Sequence, residues 1–350
     1  MQHNSKAPYE QSEYILSKQF EHLRDHFPMF YDCIDMEKVS MAAHSAFLHG
    51  IMDVIDFETT QQGGRGESYT TAQRNSAVRL EGIRQLFTLA SPGHSLENLS
   101  GGYKILDALG GDGTLTRTLS KLLPVSFMPS ILISDISEYM VYEAQKQGLA
   151  AIRQPVQSLL LKDNSMDAVL IAYGSHHIPL NQRQATCLEA FRVLKPGGSI
   201  VFHDFEDNSP VASWFREVVH LYSLTGHDYP HYSSREMQQY LYSAGFSKIR
   251  IQYLYDPFIL SGKSPQEVQY LLGNYLLNMY GLVKLADTYP NQDENIVAYT
   301  LACNYFQYDY QSQMLDSSFG VSQIHISKRD ENWQIEMPRV ALVATATKAL

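Results

Sequence analysis

Residues 103–114 read YKILDALGGDGT, an apolar strand that ends in an acidic residue and runs into a glycine-rich turn. The segment LTRTLSKLL (115–123) follows at once and has the pattern of a helix. Glycines at such a turn let the backbone approach a ligand where a Cβ atom would clash. In a doubly wound sheet this turn lies at the carboxyl edge of the strands, where ligands bind.

On either side of this turn, residues 103–205 alternate short apolar strands with helical segments. Strands are predicted at 103–109, 130–136, 150–156, 166–173 and 199–205. MDAVLIAY (166–173) is almost continuously apolar, as expected of a central parallel strand. With KIRIQYLY (248–255) and VALVATATK (340–348) as the closing pair, the sequence predicts an α/β fold with a doubly wound, mostly parallel, seven-stranded Rossmann-like sheet.

Differences in the residue pattern along the chain divide it into four parts. Residues 1–98 lack strand alternation and are predicted to form an N-terminal helical cap. Residues 99–262 are expected to form the cofactor-binding core, and the helical, tyrosine-rich stretch 263–322 an insertion that covers the substrate. Residues 323–350 are predicted to contribute closing strands to the core sheet.

Charge and composition limit the classes of partner. The chain has 27 basic and 37 acidic residues, a formal net charge of −10, which argues against nucleic acid and against an anionic membrane surface. Three distant cysteines form neither a disulfide framework nor a zinc ribbon. No secretory leader and no apolar run of about 20 residues is evident, so we expect a cytoplasmic protein. A homodimer remains open.

Two interpretations of the glycine turn are disfavoured. A dinucleotide-binding turn needs Gly-x-Gly-x-x-Gly, and Thr116 stands where the third glycine belongs. The GGDGT stretch (110–114) resembles the nucleotide-phosphate loop of diacylglycerol kinases, NAD kinases and phosphofructokinases, in which Asp112 would serve the nucleotide or a metal. A basic phosphate-binding cluster should then follow, and the sequence does not show one.

The third interpretation rests on a broader resemblance. The turn is similar to motif I of class I S-adenosylmethionine (SAM)-dependent methyltransferases, with Asp107 as the acidic residue and Gly111 and Gly113 as the second and third glycines. Leu109 replaces the usual first glycine. KDNSMDAVLIAYGSHHI (162–178) and EAFRVLKPGG (189–198) resemble later segments of the same family, in the family's order. The resemblance is to the small-molecule, UbiE-like type and implies SAM as cofactor and a small-molecule substrate.

The resemblance also implies roles for single residues. Asp135 matches the acid that binds the two ribose hydroxyls, a pairing that suits a carboxylate because it offers two acceptor oxygens. Ile136 would pack on the adenine. Pro155 stands where an aspartate usually meets the adenine amino group, so Gln154 or Gln157 is expected to supply a carbonyl there, and Gln157 is favoured. The residues assigned to the cofactor are Asp107, Gly110, Gly111, Gly113, Asp135, Ile136, Gln157 and Tyr173.

Histidines follow strands four and five at the same predicted edge. His is the usual general base near neutral pH, so His177 and His203 are the predicted catalytic bases, with His176 a weaker candidate. We expect methyl transfer to a hydroxyl oxygen of an apolar or aromatic metabolite in a biosynthetic pathway. A methyltransferase fold turned to other chemistry and a non-catalytic SAM-fold subunit are the alternatives.

Two further groups of residues stay open. His227, Asp228 and His231 lie in one loop and suggest a metal site with His203, but a plain polar loop is favoured, and no metal is predicted. In the N-terminal cap, Tyr69, Arg65 or Arg74 is a candidate for reaching the SAM carboxylate or the substrate.

Overall fold

The computed structural model describes residues 19–43, 55–311, 315 and 318–350. Over these residues ten strands form two sheets. The strands are β1 (Lys104–Asp107), β2 (Ser130–Asp135), β3 (Ala151–Arg153), β4 (Met166–Ile171), β5 (Leu194–Asp204), β6 (Ser247–Tyr255), β7 (Phe258–Gly262), β8 (His325–Arg329), β9 (Asn332–Met337) and β10 (Val340–Thr347).

Helices surround these sheets. They are α1 (19–26), α2 (Pro28–Tyr31), α3 (Met36–Ala43), α4 (Gly66–Gln73), α5 (Leu80–Ala90), α6 (Thr114–Leu122), α7 (Glu138–Lys146), α8 (Leu180–Val193), α9 (Pro210–Trp214), α10 (His220–Tyr222), α11 (Ser234–Ser243), α12 (Pro265–Tyr280), α13 (Leu285–Thr288) and α14 (Glu294–Tyr305). A π-helical segment, Phe215–Val219, joins α9 to α10. Among the described helices none combines the length and the apolar character that a membrane crossing requires.

The larger sheet has seven strands in the order β3-β2-β1-β4-β5-β10-β6. The pairs among β1 to β5 are parallel, and β10 runs antiparallel between β5 and β6. This order confirms the predicted fold class and the predicted closing pair. It also brings the carboxyl ends of β1, β2, β4 and β5 to one edge of the sheet.

Apolar residues cover both faces of this sheet because adjacent strand residues point to opposite sides. On β4, Leu170 belongs to one buried cluster, while Val169 and Ile171 belong to the other. The first cluster includes residues of α5, α12 and α14, and the second includes residues of α8 and α11. Burial on both faces explains why β4 reads as a continuous apolar run.

The last part of the chain corrects one sequence prediction. Of the strands in 323–350, only β10 joins the core sheet, whereas β8 and β9 pair with β7 in a separate three-stranded antiparallel sheet. Strand β9 buries Ile335 and Met337, and its neighbour β8 carries exposed charged residues, a pattern typical of a sheet with one wet face. Periodicity alone does not tell which sheet such a strand will join. The stretch 263–322 contains the expected helices α12 to α14.

Candidate active site

The glycine turn lies between β1 and α6 at the carboxyl edge. Gly111 and Gly113 have φ values of +53° and +81°, in the left-handed region that glycine adopts without cost. A Cβ atom on Gly113 would lie 2.8 Å from Ile133 Cδ1 and closer still to Leu149 Cδ1. Both conformation and space therefore require glycine at the start of α6.

Asp112, inside the same turn, is occupied by local contacts. Its Oδ1 accepts hydrogen bonds from the Thr114 backbone N–H at 3.2 Å and the Thr114 hydroxyl at 2.7 Å, and its Oδ2 pairs with Arg117 at 2.9 Å. The side chain is 1% exposed. A carboxylate held in this way caps and anchors α6, which disfavours the kinase-like interpretation of GGDGT.

Asp135 ends β2 beside the glycine turn. Its two oxygens accept hydrogen bonds from the backbone N–H groups of Gly111 and Ser137, each at 2.9 Å. Burial raises the pKa of Asp135 to about 6, with those N–H groups opposing the rise and the nearby Glu58 carboxylate adding to it. A carboxylate oxygen accepts more than one hydrogen bond, so Asp135 keeps acceptor capacity for a diol.

Asp107 and Arg79 are charged side chains beside the glycine turn that make no hydrogen bond of good geometry among the described residues, although Arg79 interacts with Tyr69 and stacks on Tyr173. Both carboxylate oxygens of Asp107 and all three guanidinium nitrogens of Arg79 are buried with no hydrogen-bond partner among the described residues. Burial raises the pKa of Asp107 to about 7, Asp135 adds to the rise, and Arg79 opposes it. Buried polar groups in folded proteins are normally paired. An unpaired acid and an unpaired base, electrostatically coupled, mark a place prepared for a ligand.

Aromatic rings frame the Arg79 guanidinium. Its central carbon lies 3.7 Å from the centroid of the Tyr173 ring, and Tyr69 and Tyr275 are also among its electrostatic neighbours. Tyr173 directly follows β4 with a φ of +60°, a conformation that a tyrosine adopts only under local constraint. Its hydroxyl donates to Asp256 Oδ1 at 3.0 Å.

Sequence reasoning missed Arg79. In SAVRLEG (76–82) it reads as a polar residue beside a helix, and its 1% exposure comes from tertiary packing. Arg65 and Arg74, which the sequence offered as candidates for reaching SAM or the substrate, lie in other environments. Arg65 is bound to Asp56 at 2.9 Å and to the Met279 carbonyl at 2.8 Å, and Arg74 is exposed. These contacts occupy the Arg65 guanidinium, while Tyr69 lies beside Arg79; a contact of any of the three with SAM or the substrate stays a prediction.

The loop after β3 contains the residues assigned to the adenine. Gln154 is committed to the fold, because its amide donates to Ser134 Oγ at 3.1 Å and its carbonyl accepts from the Leu160 N–H at 2.7 Å. Gln157 is half-buried in the turn that follows Pro155. Of the two glutamines, Gln154 is thus bound within the fold, and the contact of Gln157 with the adenine stays a prediction.

A segment of the N-terminal region covers this edge. Glu58, 5% exposed, accepts hydrogen bonds from the first two N–H groups of α7, those of Glu138 at 2.8 Å and Tyr139 at 3.1 Å. The Ser137 hydroxyl donates to the Phe57 carbonyl at 3.0 Å. These bonds fasten the segment to the loop that carries Asp135. The cap predicted for residues 1–98 thus reaches the site through Phe57 and Glu58.

Histidines from two loops gather beside the ends of β4 and β5. His176 and His177 follow β4, and their rings lie 4.6 Å apart between centroids. The His227 ring, from the loop after α10, lies 5.0 Å and 5.1 Å from them. Burial lowers the pKa of His177 to about 3 and also lowers those of His176 and His227. All three imidazoles are therefore neutral near pH 7.

Asp204, at the end of β5, organises this group. It accepts hydrogen bonds from Nδ1 of His176 at 3.0 Å and from Nδ1 of His231 at 3.2 Å. Although burial acts to raise it, these partners hold the pKa of Asp204 well below its usual range. The loop of His227 and His231 therefore meets His176, and not His203 as the sequence suggested. Asp228 is exposed outside the group.

His203, the other predicted base, lies in a different network. Its Nδ1 accepts from the Tyr173 N–H at 3.4 Å, and its Nε2 is 3.8 Å from Asp256 Oδ2. Asp256 also pairs with the buried Arg339. His203 has no exposed surface, whereas His177 is half-buried. The two predicted bases are thus separated, and His177 is the more accessible.

Comparisons with known proteins bear on the stretch that carries the glycine turn. Residues 106–202 match the sequence profile of the family described as "Methyltransferase domain". The ubiquinone/menaquinone biosynthesis C-methyltransferase UbiE of Pasteurella multocida is 25% identical over 131 residues, 35% of this chain and 47% of that protein. The protein of that name from Shewanella sp. (strain ANA-3) is 28% identical over 131 residues, 35% of this chain and 50% of its own. The match spans about half the length of these curated relatives.

Among solved structures, the Haemonchus contortus phosphoethanolamine N-methyltransferase 2 in complex with S-adenosyl-L-methionine is 14% identical, with a TM-score of 0.45, and the alignment covers 77% of this chain and 52% of that one. The [4+2]-cyclase SpnF is 16% identical with a TM-score of 0.42, over 77% of this chain and 81% of that one.

Proposed function

We propose that this protein is a class I SAM-dependent methyltransferase that transfers a methyl group from SAM to a hydroxyl oxygen of a small apolar or aromatic metabolite; the match of residues 106–202 to the methyltransferase-domain profile supports the family. The observation that carries the proposal is the unpaired couple of Arg79 and Asp107 beside the glycine turn. The methionine end of SAM has a carboxylate and an ammonium group, and a buried guanidinium and a buried carboxylate are their natural partners.

The remaining cofactor residues follow from the same placement. Asp135 would accept from the ribose hydroxyls, and Ile136 and Gln157 would meet the adenine. Gly110, Gly111 and Gly113 would let the backbone approach the cofactor, and Tyr173 would border its methionine end. When bound, SAM supplies an electrophilic methyl group on its sulfonium sulfur. The covering segment at Phe57 and Glu58 excludes water, which would otherwise compete as a nucleophile.

The acceptor hydroxyl would lie at the histidines beyond β4 and β5. Oxygen needs to lose its proton as it attacks, and a neutral imidazole with a free lone pair receives a proton. We propose His177 for this role because it is the more exposed of the two predicted bases. His203 is assigned a positioning role through the Tyr173 backbone and Asp256. Soluble acceptors suit the net charge of −10, which disfavours nucleic acid.

The cofactor half of the proposal is tested by calorimetric titration with SAM and with S-adenosylhomocysteine. Wild-type protein should bind both, and Asp135→Ala should weaken binding at least tenfold because two charge-assisted hydrogen bonds are lost. Asp163→Ala is the matched control, since Asp163 is an exposed acid paired with Arg192 away from this edge. Absence of binding by folded wild-type protein would overturn the proposal.

The acceptor half is tested by product analysis. SAM with a carbon-labelled methyl group is incubated with candidate phenols and alcohols, and the product is examined by nuclear magnetic resonance. A methyl carbon bonded to oxygen supports the proposal. A methyl carbon bonded to carbon, the outcome that the names of the UbiE relatives suggest, would overturn the choice of oxygen and leave methyl transfer standing.

A further inference from the structure

Three imidazoles meet within the histidine group described above. His176, His177 and His227 each offer a ligand nitrogen, and these nitrogens lie within 4.8 Å of one another. Two of the rings belong to the short 3-10 helix Ser175–His177 that comes after β4, and the third comes from the loop after α10. Convergence of three imidazoles from separate parts of the chain is a more specific signal than histidines adjacent in sequence.

Four ring nitrogens in and beside this group lack hydrogen-bond partners among the described residues. Nε2 of His176, Nε2 of His231 and both ring nitrogens of His227 are buried and unpaired within the part of the chain that the structure describes. A neutral imidazole has one N–H donor and one lone pair, and leaving them unpaired in the interior costs free energy. His176, His227 and His231 are at most 5% exposed, so bulk water does not compensate for this loss.

Asp204 fixes which nitrogen of each ring carries the lone pair. It accepts from Nδ1 of His176 and of His231, and in addition from the Ser175 hydroxyl and the backbone N–H groups of His176 and Phe205. The lone pair of His176 is therefore at Nε2. A carboxylate that receives the far N–H of a ligating histidine is the usual support of a metal site.

The same contacts decide between two arrangements of ligands. His176, Asp204 and His231 also have ligand atoms close enough to share an ion. Asp204, however, already accepts five hydrogen bonds from other residues, two of them from the imidazole rings in question. It is consequently better placed as a support than as a ligand, and the three imidazoles remain as the ligand set.

We infer that His176, His177 and His227 bind a divalent transition-metal ion of the class that zinc represents. Imidazole suits zinc, iron, copper and nickel, whereas magnesium and calcium prefer oxygen ligands. Zinc–nitrogen bonds of about 2.0–2.1 Å require the three rings to close slightly around the ion. Three protein ligands leave a coordination position open for a further oxygen, as in catalytic zinc sites.

The inference rests on the proposed function and changes one role in it. The ion would lower the pKa of an acceptor hydroxyl at the open position, and His177 would bind the ion instead of taking the proton. The hydroxyl proton leaves to solvent, and an oxygen lone pair forms the new bond to the methyl carbon. The carbon–sulfur bond of the sulfonium breaks, and its electron pair stays on sulfur, which yields S-adenosylhomocysteine.

The test uses full-length protein freed of metal by chelation and titrated with Co²⁺, which reports imidazole coordination through its visible d–d absorption. Wild-type protein should take up about one equivalent. His227→Gln should weaken uptake at least tenfold, and Asp204→Asn about 10–100-fold, the usual effect of losing a supporting carboxylate. His325→Ala, at an exposed histidine on β8, is the matched control and should bind as wild type does.

Circular dichroism confirms that each variant is folded. No Co²⁺ uptake by folded wild-type protein would overturn the inference, and so would equal uptake by folded His227→Gln and wild type. SAM titration of the same chelated sample separates the two proposals. SAM binding without metal uptake removes only the metal site, whereas metal uptake without SAM binding removes the proposed function and leaves the metal site.

Discussion

Arg79→Met provides a direct test of the cofactor site. The substitution keeps the length and much of the volume of the side chain but removes the charge. The Arg79 guanidinium is 1% exposed and has no hydrogen-bond partner among the residues described here. Stacking on Tyr173 and the nearby Asp107 and Asp256 carboxylates offset part of the cost of burying this charge, and a ligand carboxylate would supply the hydrogen bonds that it lacks.

The expected changes in the SAM binding free energy and in the free energy of unfolding follow from this environment of Arg79. Loss of a buried guanidinium–carboxylate pair with SAM should cost roughly 2–4 kcal/mol of binding free energy, on the order of 30- to 1,000-fold in Kd. The free energy of unfolding of the cofactor-free protein should fall by about 1–2 kcal/mol, because stacking on Tyr173 and attraction to Asp107 are lost while no hydrogen bond is broken. The loss of binding should therefore exceed the loss of stability.

Calorimetric titration with SAM and thermal melts of the cofactor-free protein measure the two quantities. Arg183→Met is a close control, because Arg183 is 1% exposed and lies 3.8 Å from the Tyr232 ring, but donates to the carbonyls of Ile178, Pro230 and His231. Its loss should destabilise the fold by about 3 kcal/mol or more. If Arg79→Met destabilised the protein equally and left the Kd within threefold, Arg79 would be structural and the reasoning wrong.

Three further outcomes are expected. The raised pKa values of Asp135, about 6, and of Asp107, about 7, mean that SAM affinity should increase as pH rises toward 7 and level off above about 8, since the ionised carboxylates bind the diol and the ammonium group; a flat calorimetric profile would contradict this. Gly113→Ala should lower the melting temperature and SAM affinity more than Gly148→Ala, because both glycines have positive φ but only Gly113 lacks room for a Cβ atom; equal effects would point to backbone conformation alone. Glu58→Gln should cost about 0.5–2 kcal/mol of unfolding free energy at the start of α7 and speed SAM dissociation in stopped-flow measurements; an unchanged dissociation rate would show that the covering segment does not retain the cofactor.

The sequence predicted what lies at strand ends. Asp107 and Asp135 each close an apolar strand, and a parallel sheet brings such positions to one edge, so local pattern and topology together place them. Strand β8 and strand β9 were assigned to the wrong sheet for the converse reason. The alternation of apolar and polar residues in β8 and β9 predicts strands. The choice between the two sheets is made by packing against α12, and the sequence pattern of a strand carries no information about that packing.

Residues outside the strand ends needed the structure. Arg79 comes from the segment before α5, and only tertiary packing shows that it is buried and unpaired beside Asp107. His227 was grouped with His203 because both are histidines near the same edge. Adjacent strand residues point to opposite faces, so Asp204 faces His176 and His231 while His203 faces Asp256. The partner of His227 is therefore His176.

The buried polar groups of the site that lack hydrogen-bond partners fall into two sets of different chemical type. On the side of the glycine turn they are a guanidinium and a carboxylate, which complement a zwitterion, and on the side of β5 they are imidazole nitrogens, which complement a cation. Each group lowers the stability of the protein alone by an amount that a matching ligand restores. SAM and a divalent ion should therefore raise the melting temperature independently, and their effects should add, because different residues receive them. If only SAM or only the divalent ion raised the melting temperature, that result would identify which of the two sides of the site has kept its function.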